Sequence, residues 1–184
     1  MIFSTTLVLV VLLFHDGTRW SLKLGIRLFH YFTLQSNVFC AAAALLRCIA
    51  PEAHWVWVLK YVGTAAVTVT MMTVLVFLAP AVGSVRKLTR GNDFFMHLAT
   101  PLTAILCFTV FEKQGLRFGT AMLGMLPVLL YGPLYLYKIL FAPPEKRWDD
   151  FYGFNKQGKW PVAFAAMVAG TFAICMGIMA LQNL

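Results

Sequence analysis

Long runs of apolar residues, separated by short polar segments, are the feature that most restricts how this chain folds. Six runs occur, at about residues 2–14, 28–46, 55–79, 94–111, 121–140 and 160–181. A helix needs ~20 apolar residues to cross the ~30 Å hydrocarbon layer of a bilayer. Only 12% of the residues are charged, whereas soluble domains carry about 25%. The chain is therefore predicted to be an integral membrane protein.

The runs predict helices and not the strands of a barrel. They are continuous and lack the inside–outside alternation of barrel strands, and a helix pairs its backbone groups within one segment. The run at 2–14 is short, and we interpret it as a short, tilted or N-terminally extended helix and not as a signal peptide. We predict an all-α, polytopic membrane protein, with one domain over residues 1–184 and a single bundle of about six transmembrane helices.

The basic residues are distributed unevenly between the loops. Eleven of the fifteen fall in loops one, three and five, namely Arg19, Lys23, Arg27, Arg86, Lys87, Arg90, Lys138, Lys146, Arg147, Lys156 and Lys159. Cytoplasmic loops carry an excess of Lys and Arg, which predicts that these three loops face the cytoplasm. This asymmetry explains the net charge of +8 without a nucleic-acid partner.

The cysteines and histidines show no spacing typical of a metal centre. The four cysteines form no CxxC pair, and the four histidines form no HxxxH or HExxH pair. We expect the cysteines to behave as small apolar residues. The sequence therefore predicts neither a metal nor a cofactor.

Two apolar runs contain polar side chains that are costly to place in a membrane. Thr33, Ser36 and Asn37 lie at i, i+3 and i+4 of the second run and share one helical face. His97 lies in the fourth run, with Asp93 four residues before it. Ionisable groups at membrane depth are candidates for function by default. If the helices alternate in direction, Thr33 and His97 enter from the same membrane face and lie at similar depth.

Other polar residues could complete a pocket on that side of the membrane. The candidates are Thr68, Thr70, Thr73, Thr100, Tyr131 and Tyr135. They come from the third, fourth and fifth runs, which reach the same membrane face in an alternating bundle. We therefore predict a polar pocket near the cytoplasmic leaflet.

Each of these residues also has a structural interpretation. A threonine such as Thr33 in a membrane helix usually bonds the carbonyl four residues earlier, and Asn37 could join two helices. His97 could simply bond a neighbouring helix. Asp93 could cap a helix, and Pro101 could kink the helix and free a carbonyl near His97.

Two further residue patterns lead to predictions about packing. Lys60 lies several residues inside the third run, and we interpret it as a side chain that extends back to the headgroups. The last run places small residues at every fourth position, and such a row favours close approach of another helix. The row consists of Ala165, Ala169, Ala173 and Gly177.

Taken together, the motifs resemble a known family. They are Phe32-Thr33-Leu34-Gln35-Ser36-Asn37, His97-x-x-x-Pro101, Leu126-Pro127 with Tyr131, and Asp150-Phe151-Tyr152-Gly153-Phe154. This combination resembles the androgen-induced membrane hydrolase family and its bacterial relatives. The resemblance implies a multi-pass threonine hydrolase in a bacterial cell membrane, acting on fatty acid esters of hydroxy fatty acids. It also implies that Thr33 is the nucleophile and His97 its base.

The implied chemistry is coherent in physical terms. A threonine hydroxyl is a weak nucleophile and needs an adjacent base. A histidine can take its proton and return it to the leaving alcohol. Ser36, Asn37 or Tyr131 could donate to the developing oxyanion, and Asp93 could orient the imidazole.

Two alternatives to a hydrolase remain open on the sequence alone. The same pocket could bind or transport a small amphiphile without catalysis, with His97 as a proton-linked switch. The chain could also be a purely structural partner of another membrane protein. In either case Thr33 would have no catalytic role.

Overall fold

The computed structural model describes residues 6, 14, 19–84 and 90–184, without the side chains of residues 24, 81 and 82. The predicted helix at 2–14 lies outside the described residues except at two single positions. In the described part, five helices are long and apolar enough to cross a membrane. The prediction of an all-α, polytopic membrane protein is confirmed.

In the part of the chain described from residue 19 onward, a short helix precedes the first long one. The bounds are Leu22–Leu28 for α1, Phe32–Ile49 for α2, His54–Leu78 for α3, Asn92–Phe111 for α4, Phe118–Leu140 for α5 and Trp160–Asn183 for α6. Helix α3 continues as an α-helical turn over Ala79–Val82. At ~1.5 Å per residue, the 18 residues of α2 span about 27 Å, close to the hydrocarbon thickness.

Helix α2 begins four residues later than we predicted, because the chain turns before it. Tyr31 is extended, with φ −85° and ψ 130°. The carbonyls of the turn are bonded by side chains: Gln35 Nε2 donates to Phe29 O at 2.7 Å, and the Tyr131 hydroxyl donates to His30 O at 2.7 Å. Thr33 is therefore the second residue of α2, and not one turn inside it.

Three stretches of the long helices are wound as π-helical turns. They are Thr73–Leu78 in α3, Phe95–Ala99 in α4 and Cys107–Phe111 in α4. Such turns are frequent at functional sites, and the one at Phe95–Ala99 contains His97. Its backbone bond runs from the Thr100 N–H to Phe95 O, five residues apart.

Helix α3 is the centre of the bundle. In its most apolar stretch 67% of the residues are buried, against 17% in α6. Small residues allow neighbouring helices to approach α3 closely. A Cβ atom added at Gly63 would lie 2.9 Å from the Cα of Cys40 on α2, so only glycine fits at this crossing.

Within residues 19–84 and 90–184, the row of small residues on α6 packs against no other helix, which contradicts our prediction for it. Ala165, Ala169, Ala173 and Gly177 are all exposed. The bundle is instead contacted by the face of α6 whose buried members are Thr171, Cys175, Ile178 and Gln182. These larger side chains fill the space beside α3, which small residues would leave empty.

Contacts between loops define the two ends of the bundle. At one end, which we call the first face, residues 19–31 lie against residues 141–159, and the rings of His30 and Trp148 stack at 4.4 Å. At the other end, the second face, residues 112–117 meet the end of α6. There Leu116 N donates to Asn183 Oδ1 at 3.0 Å.

Lys60 is buried near the second face, and our interpretation of it as a side chain reaching the headgroups was wrong. Only 7% of the residue is exposed. Its ammonium group pairs with Glu112 Oε1, and Arg47 Nε lies 3.4 Å from Glu112 Oε2. A buried charge needs such partners because desolvation is costly.

Candidate functional site

A small cavity lies at the first face between α2, α3, α5 and the segment 149–159, which we call the cover loop. The cavity measures about 30 Å³, enough for about one water-sized group. The rest of its wall is apolar, and its polar lining comes from Thr33, Thr70, Thr73, Tyr131, Tyr135 and Tyr152. We call this space the inner cavity.

The inner cavity adjoins a larger groove along the side of the bundle. This lateral groove measures about 520 Å³, within the usual size of ligand sites. Val69, Thr73 and Met167 line both spaces. Four of the seven residues that α6 contributes to the wall of the groove are alanine or glycine, including Ala166 and Gly170. Small residues on α6 therefore widen the groove.

Thr33 has its backbone fixed and its side chain at the inner cavity. Its carbonyl accepts from Ser36 Oγ at 3.1 Å and from Asn37 Nδ2 at 2.8 Å. Its hydroxyl interacts with the phenol of Tyr152, which in turn accepts from Phe32 N at 3.1 Å. The start of α2 is thus held against the cover loop.

Asn37 joins the start of α2 to the segment of α4 that contains His97. It is 1% exposed, and its Nδ2 donates to Thr33 O and also to Met96 O at 3.2 Å. The five-residue spacing of this turn would pair Met96 O with the nitrogen of Pro101, which has no hydrogen. Asn37 therefore bonds the carbonyl that Pro101 leaves free.

The two hydrogen bonds that Asn37 donates, which we call the Asn37 bridge, exclude this amide as a donor to the oxyanion. Both N–H groups of Asn37 are used by the carbonyls of Thr33 and Met96, so neither is available for an oxyanion. Its Oδ1 is buried and has no hydrogen-bond partner among the described residues. The amide thus positions two helices and leaves one acceptor open.

His97 is half-buried in the π-helical turn of α4, directly after Met96. It is not among the residues that line the inner cavity. The structure therefore brings the segments of Thr33 and His97 together through Asn37, without placing both side chains on one cavity wall. Asp93 is exposed in the first turn of α4, and Thr100 is buried after the π-helical turn.

The remaining predicted pocket residues have defined partners. Ser36 Oγ lies 2.8 Å from Thr70 Oγ1, which joins α2 to α3. Thr68 Oγ1 donates to Thr64 O at 2.7 Å and does not line the inner cavity. The Tyr131 hydroxyl donates to His30 O, so its proton is already used within the fold.

The cover loop is held in place by one carboxylate. Asp150 Oδ1 accepts from the Tyr135 hydroxyl at 2.8 Å and from Phe154 N at 2.9 Å, and Oδ2 accepts from Asn155 N at 2.8 Å. The Tyr135 oxygen also accepts from Tyr152 N at 3.1 Å. These bonds place the Tyr152 ring over the inner cavity.

Tyr152 is the residue of this site that the sequence analysis missed. Burial raises the pKa of Tyr152 to about 12, against the smaller lowering effect of the Thr33 hydroxyl. The phenol therefore keeps its proton at neutral pH and can donate it in a hydrogen bond. The available signal was the Asp150–Phe154 motif, to which we assigned no role.

The described residues contain no group of three or more metal-ligating side chains. The four cysteines, Cys40, Cys48, Cys107 and Cys175, are free thiols. The polar groups that line the inner cavity are hydroxyls and phenols, which can donate a hydrogen bond to an ester carbonyl.

Comparison with protein-family models gave no match, and comparisons with curated proteins and with solved structures gave none either.

Proposed function

We propose that this chain is an intramembrane hydrolase that cleaves a lipid ester, with Thr33 as nucleophile and His97 as base. The observation that carries the proposal is the position of Thr33, whose side chain borders a water-sized cavity that adjoins an apolar lateral groove. A fatty acyl chain fits the groove, and an ester carbonyl fits the cavity. Lipid can enter such a groove from the bilayer without crossing water.

The reaction assigns one task to each group. Thr33 Oγ1 attacks the ester carbonyl while His97 takes its proton, directly or through one water. The Tyr152 phenol donates a hydrogen bond to the oxyanion. The intermediate then expels the alcohol, which receives the proton from His97. Water finally hydrolyses the acyl–Thr33 ester, and His97 again acts as base, so the products are a fatty acid and an alcohol.

The Asn37 bridge supports the pairing of nucleophile and base. It joins the carbonyl of Thr33 to the carbonyl of Met96, the residue before His97. The proposal requires the His97 imidazole to come within hydrogen-bonding distance of the Thr33 hydroxyl while Asn37 holds the two segments together. Catalytic contacts in unliganded enzymes are often long and shorten when substrate binds.

Hydrolysis by the purified full-length chain tests the proposal. The probes are a nitrophenyl ester of a fatty acid and a fatty acid ester of a hydroxy fatty acid, with an alkyl fluorophosphonate for covalent labelling. Thr33→Ala should abolish turnover and labelling, whereas Thr109→Ala, the same change on a different helix, α4, should retain both. Likewise His97→Gln should remove turnover and His54→Gln should not. Full activity of Thr33→Ala would refute the nucleophile assignment.

A second candidate is binding of a small amphiphile without catalysis. It is favoured by one observation: the polar lining of the inner cavity consists of hydroxyls and phenols, and His97 is not part of it. In that case the nitrophenyl ester would bind saturably without turnover. Binding would also survive in Thr33→Ala, which separates this candidate from the hydrolase.

A further inference from the structure

A second pocket at the first face has a different chemical character from the inner cavity. This basic pocket measures about 180 Å³ and is lined by Arg27, His30, Tyr31, Arg147, Trp148 and Asp149, among others. It lies between the turn after α1 and the residues that lead into the cover loop. The rings of Tyr31 and Phe151, 4.3 Å apart, are tilted against each other at its wall.

The basic pocket carries an excess of positive charge. Two guanidinium groups line it, and the only carboxylate among the lining residues is Asp149. Burial, followed by the charges of Lys138 and Arg27, lowers the pKa of His30. Across residues 19–84 and 90–184, no carboxylate lies within ion-pair distance of Arg27, Lys138 or Arg147.

Contacts within the fold hold Arg147 and Lys138 in position. Arg147 donates from Nε and Nη2 to Ala142 O, both at 3.3 Å. These bonds fix the guanidinium plane and leave Nη1 for a ligand. The Lys138 ammonium lies 5.7 Å from the centre of the Trp148 ring, and the same ring stacks on His30. A planar, oriented guanidinium suits phosphate oxygens better than a mobile ammonium does.

The location of the pocket indicates where its ligand comes from. Trp148 and Tyr31 lie at the end of the bundle, where such rings mark the headgroup level of a bilayer. Basic pockets between transmembrane helices commonly bind lipid head groups. We propose that Arg27, His30 and Arg147 bind the phosphate of an anionic membrane lipid. The site is separate from Thr33 and does not depend on the proposed hydrolysis.

Thermal unfolding of the full chain in lipid nanodiscs tests this proposal. The expected result is a higher melting temperature in nanodiscs that contain phosphatidylglycerol than in nanodiscs of phosphatidylcholine alone. Arg27→Gln with Arg147→Gln should lose most of that rise. The control, Lys156→Gln with Lys159→Gln, removes the same charge from the same face outside the pocket and should keep it.

Three outcomes would overturn the lipid site. The first is equal loss in both double variants, which would indicate general attraction to a charged membrane. The second is a rise that inorganic phosphate reproduces in phosphatidylcholine nanodiscs, which would indicate a soluble ligand. The third is an unchanged rise in the single variant Arg27→Gln, whose exposed side chain can be altered without affecting the fold.

Discussion

Replacing Asn37 by leucine should destabilise the bundle because of the proline in the facing helix. The leucine side chain has a similar volume but cannot donate to Met96 O, which Pro101 leaves without a backbone partner. An unpaired buried carbonyl costs about 1–3 kcal/mol. Interhelical hydrogen bonds in membranes contribute ~0.6 kcal/mol on average and up to ~1.7. We therefore expect Asn37→Leu to lower the free energy of unfolding by about 1–2 kcal/mol.

A double-mutant cycle isolates the part of this cost that depends on the proline. Pro101→Ala restores an N–H group at position 101, so the helix can bond its own carbonyls. In that background Asn37→Leu should cost less than ~0.5 kcal/mol, which gives a coupling energy of about 1 kcal/mol. The bond from Asn37 to Thr33 O contributes little to the coupling, because Ser36 also donates to that carbonyl.

The measurement is reversible unfolding in mixed micelles of dodecylmaltoside and dodecyl sulfate, followed by tryptophan fluorescence. Ser36→Ala is the matched control, because Ser36 bonds Thr70 on α3 and not α4. Its cost should be the same with proline or alanine at position 101. If the effects of Asn37→Leu and Pro101→Ala simply add, within ~0.3 kcal/mol, the proposed division of roles between amide and proline is refuted.

Three further predictions concern other parts of the bundle. Gly63→Ala should lower the free energy of unfolding by about 1–3 kcal/mol, because the added Cβ atom meets the backbone of α2. Gly170→Ala should not, because the space around Gly170 is open. Equal effects of the two substitutions would contradict the close crossing of α2 and α3 at Gly63. Lys60→Met should lower the free energy of unfolding by about 3–5 kcal/mol, because Glu112 loses the ammonium group that it pairs with. Glu112→Gln in the same chain should recover part of that loss, and no recovery would contradict the buried ion pair. The pKa of His30 is lowered in the folded state, so protonation of His30 favours the unfolded state. Unfolding curves should therefore show the free energy of unfolding falling as the pH drops below ~6.5. The substitution His30→Gln should reduce that fall.

The transmembrane architecture could be predicted from the sequence because bilayer thickness fixes the length of an apolar helix. The start of α2 could not, because residues 28–31 are as apolar as the helix that follows. The turn that sets this start is held by side-chain hydrogen bonds to the carbonyls of Phe29 and His30. Their donors include Tyr131, which is distant in sequence.

The helix packing and the position of Tyr152 could not be predicted from the sequence either. A small residue can allow a close crossing, as Gly63 does, or can line an open groove, as Gly170 does. The two roles look alike in sequence, since only the neighbouring helix distinguishes them. The position of Tyr152 beside Thr33 depends on the cover loop, which belongs to none of the long apolar helices, and hydropathy patterns do not predict how such a loop folds.

The attachment of the cover loop through Asp150 has a consequence for access to the inner cavity. Three hydrogen bonds converge on one carboxylate, so they are lost together when that side chain swings out. Segments held in this way open locally at a free energy well below that of global unfolding. Such an opening would expose the inner cavity at the first face and give water a route to Thr33 besides the lateral groove, while the membrane helices remain fixed.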